Sequence, residues 1–283
     1  MRGLILLSLN EIYQSKHELW LKVLYSSFAI NDEKIKSKIY DFAQIEFRHL
    51  KWLSNKLKEN NINYNYEKYA IDIQKNTTFE YFEYIISEIK LCLKKYNTDE
   101  ALFARMISDE FYFINELETL LKDKNNNTKI TAFNKNRVYE NKNLDDISKD
   151  ALTIFLFEES YKEYELILLY SYFQNYTNDI LQYNVYQDMI DESQFHLKSF
   201  GNMMAKMGIL AIPRTVIESL YINKDVKQFL IDGVDEEIKA KEECASLAEA
   251  IKDEEISQFL TFIMYQEDYH ITLMKKAIKQ FND

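Results

Sequence analysis

Proline occurs once and glycine four times in 283 residues, so the tight turns that divide a β-sandwich or barrel into short strands have almost no residues to build them. Cysteine occurs twice, as Cys92 and Cys244, far apart and in no C-x-x-C pair. That excludes a disulfide framework and a rubredoxin-type iron site, and each cysteine reads as a small buried hydrophobe. No uninterrupted apolar run approaches the roughly 18 residues that crossing a bilayer requires. Residues 2–9, Arg-Gly-Leu-Ile-Leu-Leu-Ser-Leu, have the look of a signal peptide but lack an A-x-A site and run straight into Asn10-Glu11, so they read as the start of a helix. A cytoplasmic chain away from the membrane is expected. Basic residues are outnumbered, 35 Lys and Arg against 46 Asp and Glu, for a formal charge of −11. That balance disfavours a phosphate backbone and suits a metal cation or a neutral partner.

What the chain has in quantity is apolar residues, 47% of the total, spaced three and four apart, as in Leu19, Val23, Leu24 and Phe28. The period predicts an all-α protein of eight main helices, at about 3–28, 31–59, 77–96, 98–123, 147–174, 177–208, 223–251 and 253–281. Helix starts are marked by Thr77 or Thr78, by Thr98 with Asp99 and Glu100, by Ser148 ahead of Asp150, and by Asp253 ahead of Glu254 and Glu255. Residues 122–146 are rich in Asn, Lys and Asp and lack apolar periodicity, so a linker is expected over 125–146, between domains at 1–124 and 147–283. A second break falls at Gly208–Pro213.

Only four histidines occur, and three share one local context: Glu46-Phe-Arg-His49-Leu, Glu192-Ser-Gln-Phe-His196-Leu and Glu267-Asp-Tyr-His270-Ile. A glutamate three residues before a histidine lies on the same side of a helix, so both side chains can converge on one point. The four-residue spacing of Glu192 and His196 keeps a shared face, with a π-bulge or a different ligand as the alternatives. Ile30-Asn31-Asp32-Glu33 precedes Glu46 and His49 as Ile251-Lys252-Asp253-Glu254 precedes Glu267 and His270, at a constant offset of 221 residues. The fourth histidine, His17, belongs to no ligand pair and reads as a surface or packing residue. Most of the aromatic residues read as packing, with Tyr161, Tyr164, Tyr265 and Tyr269 as candidates for a place beside a metal; Met203, Met204 and Met207 read as packing rather than a copper site.

In these Glu and His pairs on helices the chain resembles the ferritin-like superfamily, especially the rubrerythrin and bacterioferritin types, across residues 147–283. That resemblance implies a four-helix bundle holding two metals by one glutamate from each of two helices and a Glu-x-x-His pair from each of the other two. Carried over residue by residue, it implies Glu267 and His270 on the last helix, and Glu192 and His196 on the second. Glu237, with Glu236 as alternative, falls on the third helix, and Glu159, with Glu158 and Glu163 as alternatives, on the first. It implies a similar first bundle with an incomplete ligand set drawn from Glu18, Glu46, His49 and Glu116, with Glu83 on the third helix; Glu116 falls at the histidine position and Phe113 where a glutamate is expected. The expected architecture is thus two tandem ferritin-like four-helix bundles. Two iron ions are the implied cofactors, with manganese or zinc as alternatives. The implied chemistry is reduction of peroxide or dioxygen, or oxidation of ferrous iron, with an external electron donor and homo-oligomers as an option. The alternative is a non-catalytic iron-binding or scaffold protein.

Overall fold

The computed structural model describes residues 2–66, 71–96, 100–222 and 224–281, with side chains from residue 9 onward. Among the described residues the protein is all-α, with α1 (Arg2–Ala29), α2 (Glu33–Glu59), α3 (Thr78–Leu93), α4 (Ala101–Leu120), α5 (Asp146–Tyr176), α6 (Ile180–Lys206), α7 (Val226–Ala250) and α8 (Glu254–Lys279). Short 3-10 turns occur at Lys124–Asn126 and Glu218–Leu220. No described helix is long and apolar enough to cross a membrane.

The helix starts are fixed by side-chain oxygens that satisfy amides the helix leaves unpaired, each worth about 1 kcal/mol. Asp32, Thr77, Asp145, Asp179, Asp225 and Asp253 each accept from a backbone N–H two or three residues on. Ser148 is therefore not the cap of α5; its amide donates to Asp145 Oδ1 at 2.8 Å. The cap expected at Thr98 and Asp99 lies outside the described residues, and Glu100, at the start of α4, makes no side-chain capping bond.

The chain forms two compact units, Met1–Asn136 with Gly208–Thr215, and Arg137–Met207 with Val216–Asp283. The first half of the expected linker is thus part of the first unit. Thr77 and Lys129 form an isolated antiparallel bridge, Asn31 Nδ2 donates to Lys129 O at 2.9 Å, and Leu210 N donates to Ala132 O at 3.0 Å. The break at 208 is where α6 stops: Gly208 has φ of +72°, in the left-handed region that favours glycine, and a Cβ there would lie 1.9 Å from Asn134 Oδ1.

In the first unit α1 packs along α2, α3 along α4, and α1 also against α3. In the second, α5 packs along α6 and α7 along α8, with narrower contacts between α6 and α8 and between α5 and α7. The buried stripe of α8 runs Ile256, Leu260, Ile263, Glu267, His270, Met274 and Ala277, a spacing of three and four that keeps one face inward. Glu267 and His270 occupy consecutive places in that stripe, so the apolar residues around them carry the carboxylate and imidazole into the core. Each fully buried large aliphatic or aromatic side chain contributes about 1.5–3 kcal/mol, whereas an unpaired buried charge costs more than one such side chain returns. The buried polar groups must therefore compensate one another or bind a cation.

Candidate metal centre

All four helices of the second unit send ionisable side chains to its centre. Glu163 comes from α5, Glu192 and His196 from α6, Glu237 from α7, and Glu267 and His270 from α8. Two groups of three have ligand atoms within 4.8 Å of one another: Glu163, His196 and Glu267, and Glu237, Glu267 and His270. Glu267 belongs to both, and the two imidazole centroids are 5.7 Å apart.

Protons supply the positive charge here. His196 Nδ1 stands 2.7 Å from Glu163 Oε1 and its Nε2 3.0 Å from Gln266 Oε1; with an oxygen at each nitrogen the ring favours its doubly protonated form. Burial alone would lower its pKa, but the Glu163 carboxylate outweighs this and lifts it to about 9. His270 Nδ1 lies 3.0 Å from Glu267 Oε2 and 3.7 Å from Glu237 Oε2, and its Nε2 is 2.6 Å from Glu192 Oε2. Its pKa too is raised against the effect of burial by these three carboxylates. Burial and the neighbouring Glu237 push Glu267 up to about 9, while hydrogen bonds from Glu267 and His270 hold Glu237 below the usual carboxylate range despite its burial.

These clusters could hold a metal ion. The donors are oxygens and imidazole nitrogens, the set that iron, manganese and zinc accept. Glu163 Oε2, Glu192 Oε2 and His270 Nε2 are buried with no hydrogen-bond partner. Glu192 and His270 approach at 2.6 Å off the N–H direction that a hydrogen bond needs. Unsatisfied groups of this kind are rare in protein interiors and call for an ion or water.

A cavity of about 170 Å³ between α5 and α7 reaches this cluster, lined by Glu159, Glu163, Tyr170, Gly233, Glu237 and Glu267 among others. Tyr170 is 1% exposed and its hydroxyl has no hydrogen-bond partner; burial and the carboxylates of Glu237, Glu163 and Glu267 raise its pKa. Gly233 is in the interior of α7, where glycine costs about 1 kcal/mol relative to alanine. A Cβ there would stand 3.1 Å from Met274 Cε at the cavity wall.

Of the residues expected from sequence, the structure brings Glu192, His196, Glu237, Glu267 and His270 together, and on α5 it brings Glu163 rather than Glu159. Glu159 is one turn earlier on the same face, paired with Lys162 Nζ at 2.6 Å; burial pushes its pKa up to about 7. Glu158 and Glu236, the neighbours left open, are both exposed. α6 is regular, with no π-bulge: the four-residue spacing serves two partners, Glu192 facing His270 and His196 facing Glu163. Tyr265 and Tyr269 are exposed, and the tyrosine at the cavity is Tyr170.

In the first unit, among the described residues, the group with metal-ligand spacing is Glu46, His49 and Glu110. Glu110 replaces the expected Glu18 and Glu116. Glu18 Oε2 is 3.6 Å from Lys22 Nζ, Glu116 pairs with Lys38, and Glu83 is exposed. On α4 Glu110 thus holds the glutamate place and Phe113, stacked on Phe42 at 4.1 Å, follows three residues later where the other helices have histidine. His17 is buried, stacked on Trp20 at 5.9 Å, and is a packing residue. Cys92 and Cys244 are free and buried.

Comparison with known protein families, with curated proteins and with solved structures returns no match.

Proposed function

We propose that the second unit is a ferritin-like di-metal carboxylate bundle that carries out redox chemistry on peroxide, dioxygen or ferrous iron. The observation that carries the reading is the convergence of four buried or half-buried glutamates and two histidines from four helices, with Glu267 shared by two groups of three. His196 and Glu163 would hold one ion, His270, Glu237 and Glu192 the other, and Glu267 would bridge them. A pair of ferrous ions, when bound, supplies the two electrons that convert a peroxide to water.

The residues of the chain do the rest. The apolar stripe around Glu267 and His270 excludes bulk water, and the cavity between α5 and α7 gives a small oxidant a path to the carboxylates. Glu159 lines that cavity with a pKa near neutrality, so it can hold a proton where peroxide oxygens need one. Neither cysteine offers a second iron site; in the peroxide and dioxygen readings an external donor returns the electrons that the bound ions give up.

The experiment is anaerobic loading with ferrous iron followed by rapid mixing with peroxide. Two irons per chain, oxidised far faster than free ferrous ion, is the expected result. Two irons oxidised no faster would favour a storage or scaffold role, and fewer than one iron per chain would reject the di-metal reading.

A further inference from the structure

The first unit repeats the glutamate and histidine pattern but treats its charge differently. Lys16, on α1, is fully buried, and its ammonium contacts both Glu46 Oε2 on α2 and Glu110 Oε1 on α4. Tyr96 donates its hydroxyl proton to the same Glu110 oxygen. Lys16 lies 221 residues before Glu237, the same offset that relates Glu46 to Glu267 and His49 to His270. Where the second unit presents a third carboxylate, the first presents a cation. No buried position of α3 is acidic, so that helix adds none of the negative charge that α5 adds through Glu163. His49 Nε2 faces Asp109 Oδ2 at 3.0 Å, and Asp109 is itself held by Arg105 at 3.0 Å.

We propose that the Lys16 ammonium is a built-in cation that takes the place of metal between Glu46 and Glu110, so that the first unit binds none and the chain's metal capacity resides in the second. The reason is electrostatic. Two carboxylates and one ammonium leave at most one negative charge in a sealed pocket, against the several that a divalent pair requires. An ion within reach of both Glu46 and Glu110 would also sit beside the ammonium, and repulsion between like charges is strong in a buried site. Glu46 Oε1, Glu110 Oε2 and His49 Nδ1 have no hydrogen-bond partner. They remain the donors that a charge reversal at position 16 would turn into a site.

The test uses the full chain with the second unit disabled by Glu267→Gln and His270→Ala, stripped with chelator and titrated with cobalt(II). This background is expected to bind no cobalt above a chelator-treated blank. Adding Lys16→Glu is expected to create binding with the visible absorption of coordinated cobalt, and adding Glu46→Gln to that chain should abolish it. Cobalt bound by the background and lost on Glu46→Gln would overturn the proposal, as would a folded Lys16→Glu chain that binds none. A second measurement needs no change at Lys16: in ¹⁵N-lysine-labelled background protein, the slowly exchanging ammonium signal of Lys16 should persist in excess cobalt. Its loss through paramagnetic broadening, with other lysine signals intact, would show metal entering the pocket and refute the inference.

Discussion

Raising the pH of the metal-free protein from about 6 to about 9 should destabilise the second unit. His196 has a pKa of about 9 in the folded chain against an ordinary 6.5, so its contribution is complete below 6.5 and disappears as pH rises through about 9. Glu267, raised to about 9, and Glu159, raised to about 7, act in the same direction, because the unfolded chain releases these protons at lower pH. Glu237 is shifted downward and titrates below this window. The carboxylates and imidazoles belong to one network, so their shifts do not add; His196 alone corresponds to ~3 kcal/mol at ~1.4 kcal/mol per pH unit. With a urea dependence of ~2 kcal/mol per molar for a unit of this size, the midpoint should fall by ~1.5 M. Both tryptophans, Trp20 and Trp52, lie in the first unit. Tryptophan fluorescence therefore follows that unit, and far-ultraviolet circular dichroism adds the second. Zinc-loaded protein should show the opposite trend, since metal affinity rises as protons leave the ligands. A midpoint for the second unit that stays constant or rises with pH in chelator would refute the assignment of protonated histidines.

Three substitutions and one control probe separate parts of the site. Glu163→Gln should weaken metal binding by at least ~10-fold in chelator competition, whereas Glu158→Gln, on the exposed side of the same helix, should leave it unchanged. Equal effects would remove Glu163 from the ligand set. Gly233→Leu should fill the cavity wall beside Met274 and slow peroxide oxidation of the loaded protein severalfold with metal content intact; an unchanged rate would mean the oxidant enters elsewhere. Tyr170→Phe removes a buried hydroxyl that has no partner, so the metal-free chain should be unaffected or gain up to ~1 kcal/mol in urea unfolding. A loss of more than that would show that the hydroxyl is satisfied.

The helices were legible because the apolar period is local, and the three Glu and His contexts were legible because they interrupt buried stripes with residues that only a partner or an ion can justify. Glu163 and Glu159 could not be separated in the same way. They occupy one face of α5 a turn apart, and which reaches His196 depends on the axial register of α5 against α6, a tertiary quantity. The spacing of Glu192 and His196 looked anomalous only under the assumption that both serve one ion. Residues 125–136 looked like a tether because they lack apolar periodicity, yet backbone hydrogen bonds and the bridge at Lys129 tie them to the first unit. Lys16 was hidden by its type, since a lysine on a helix is ordinarily solvated; the 221-residue offset was the signal that could have found it.

The central claim, metal bound in the second unit by residues of four helices, is tested most directly by the metal content of purified, iron-reconstituted protein carrying His270→Ala, measured beside His49→Ala and the unaltered chain. The account predicts about two ions for the unaltered chain and for His49→Ala, and a large loss for His270→Ala. Equal losses in the two variants, or no metal in the unaltered chain, would contradict it.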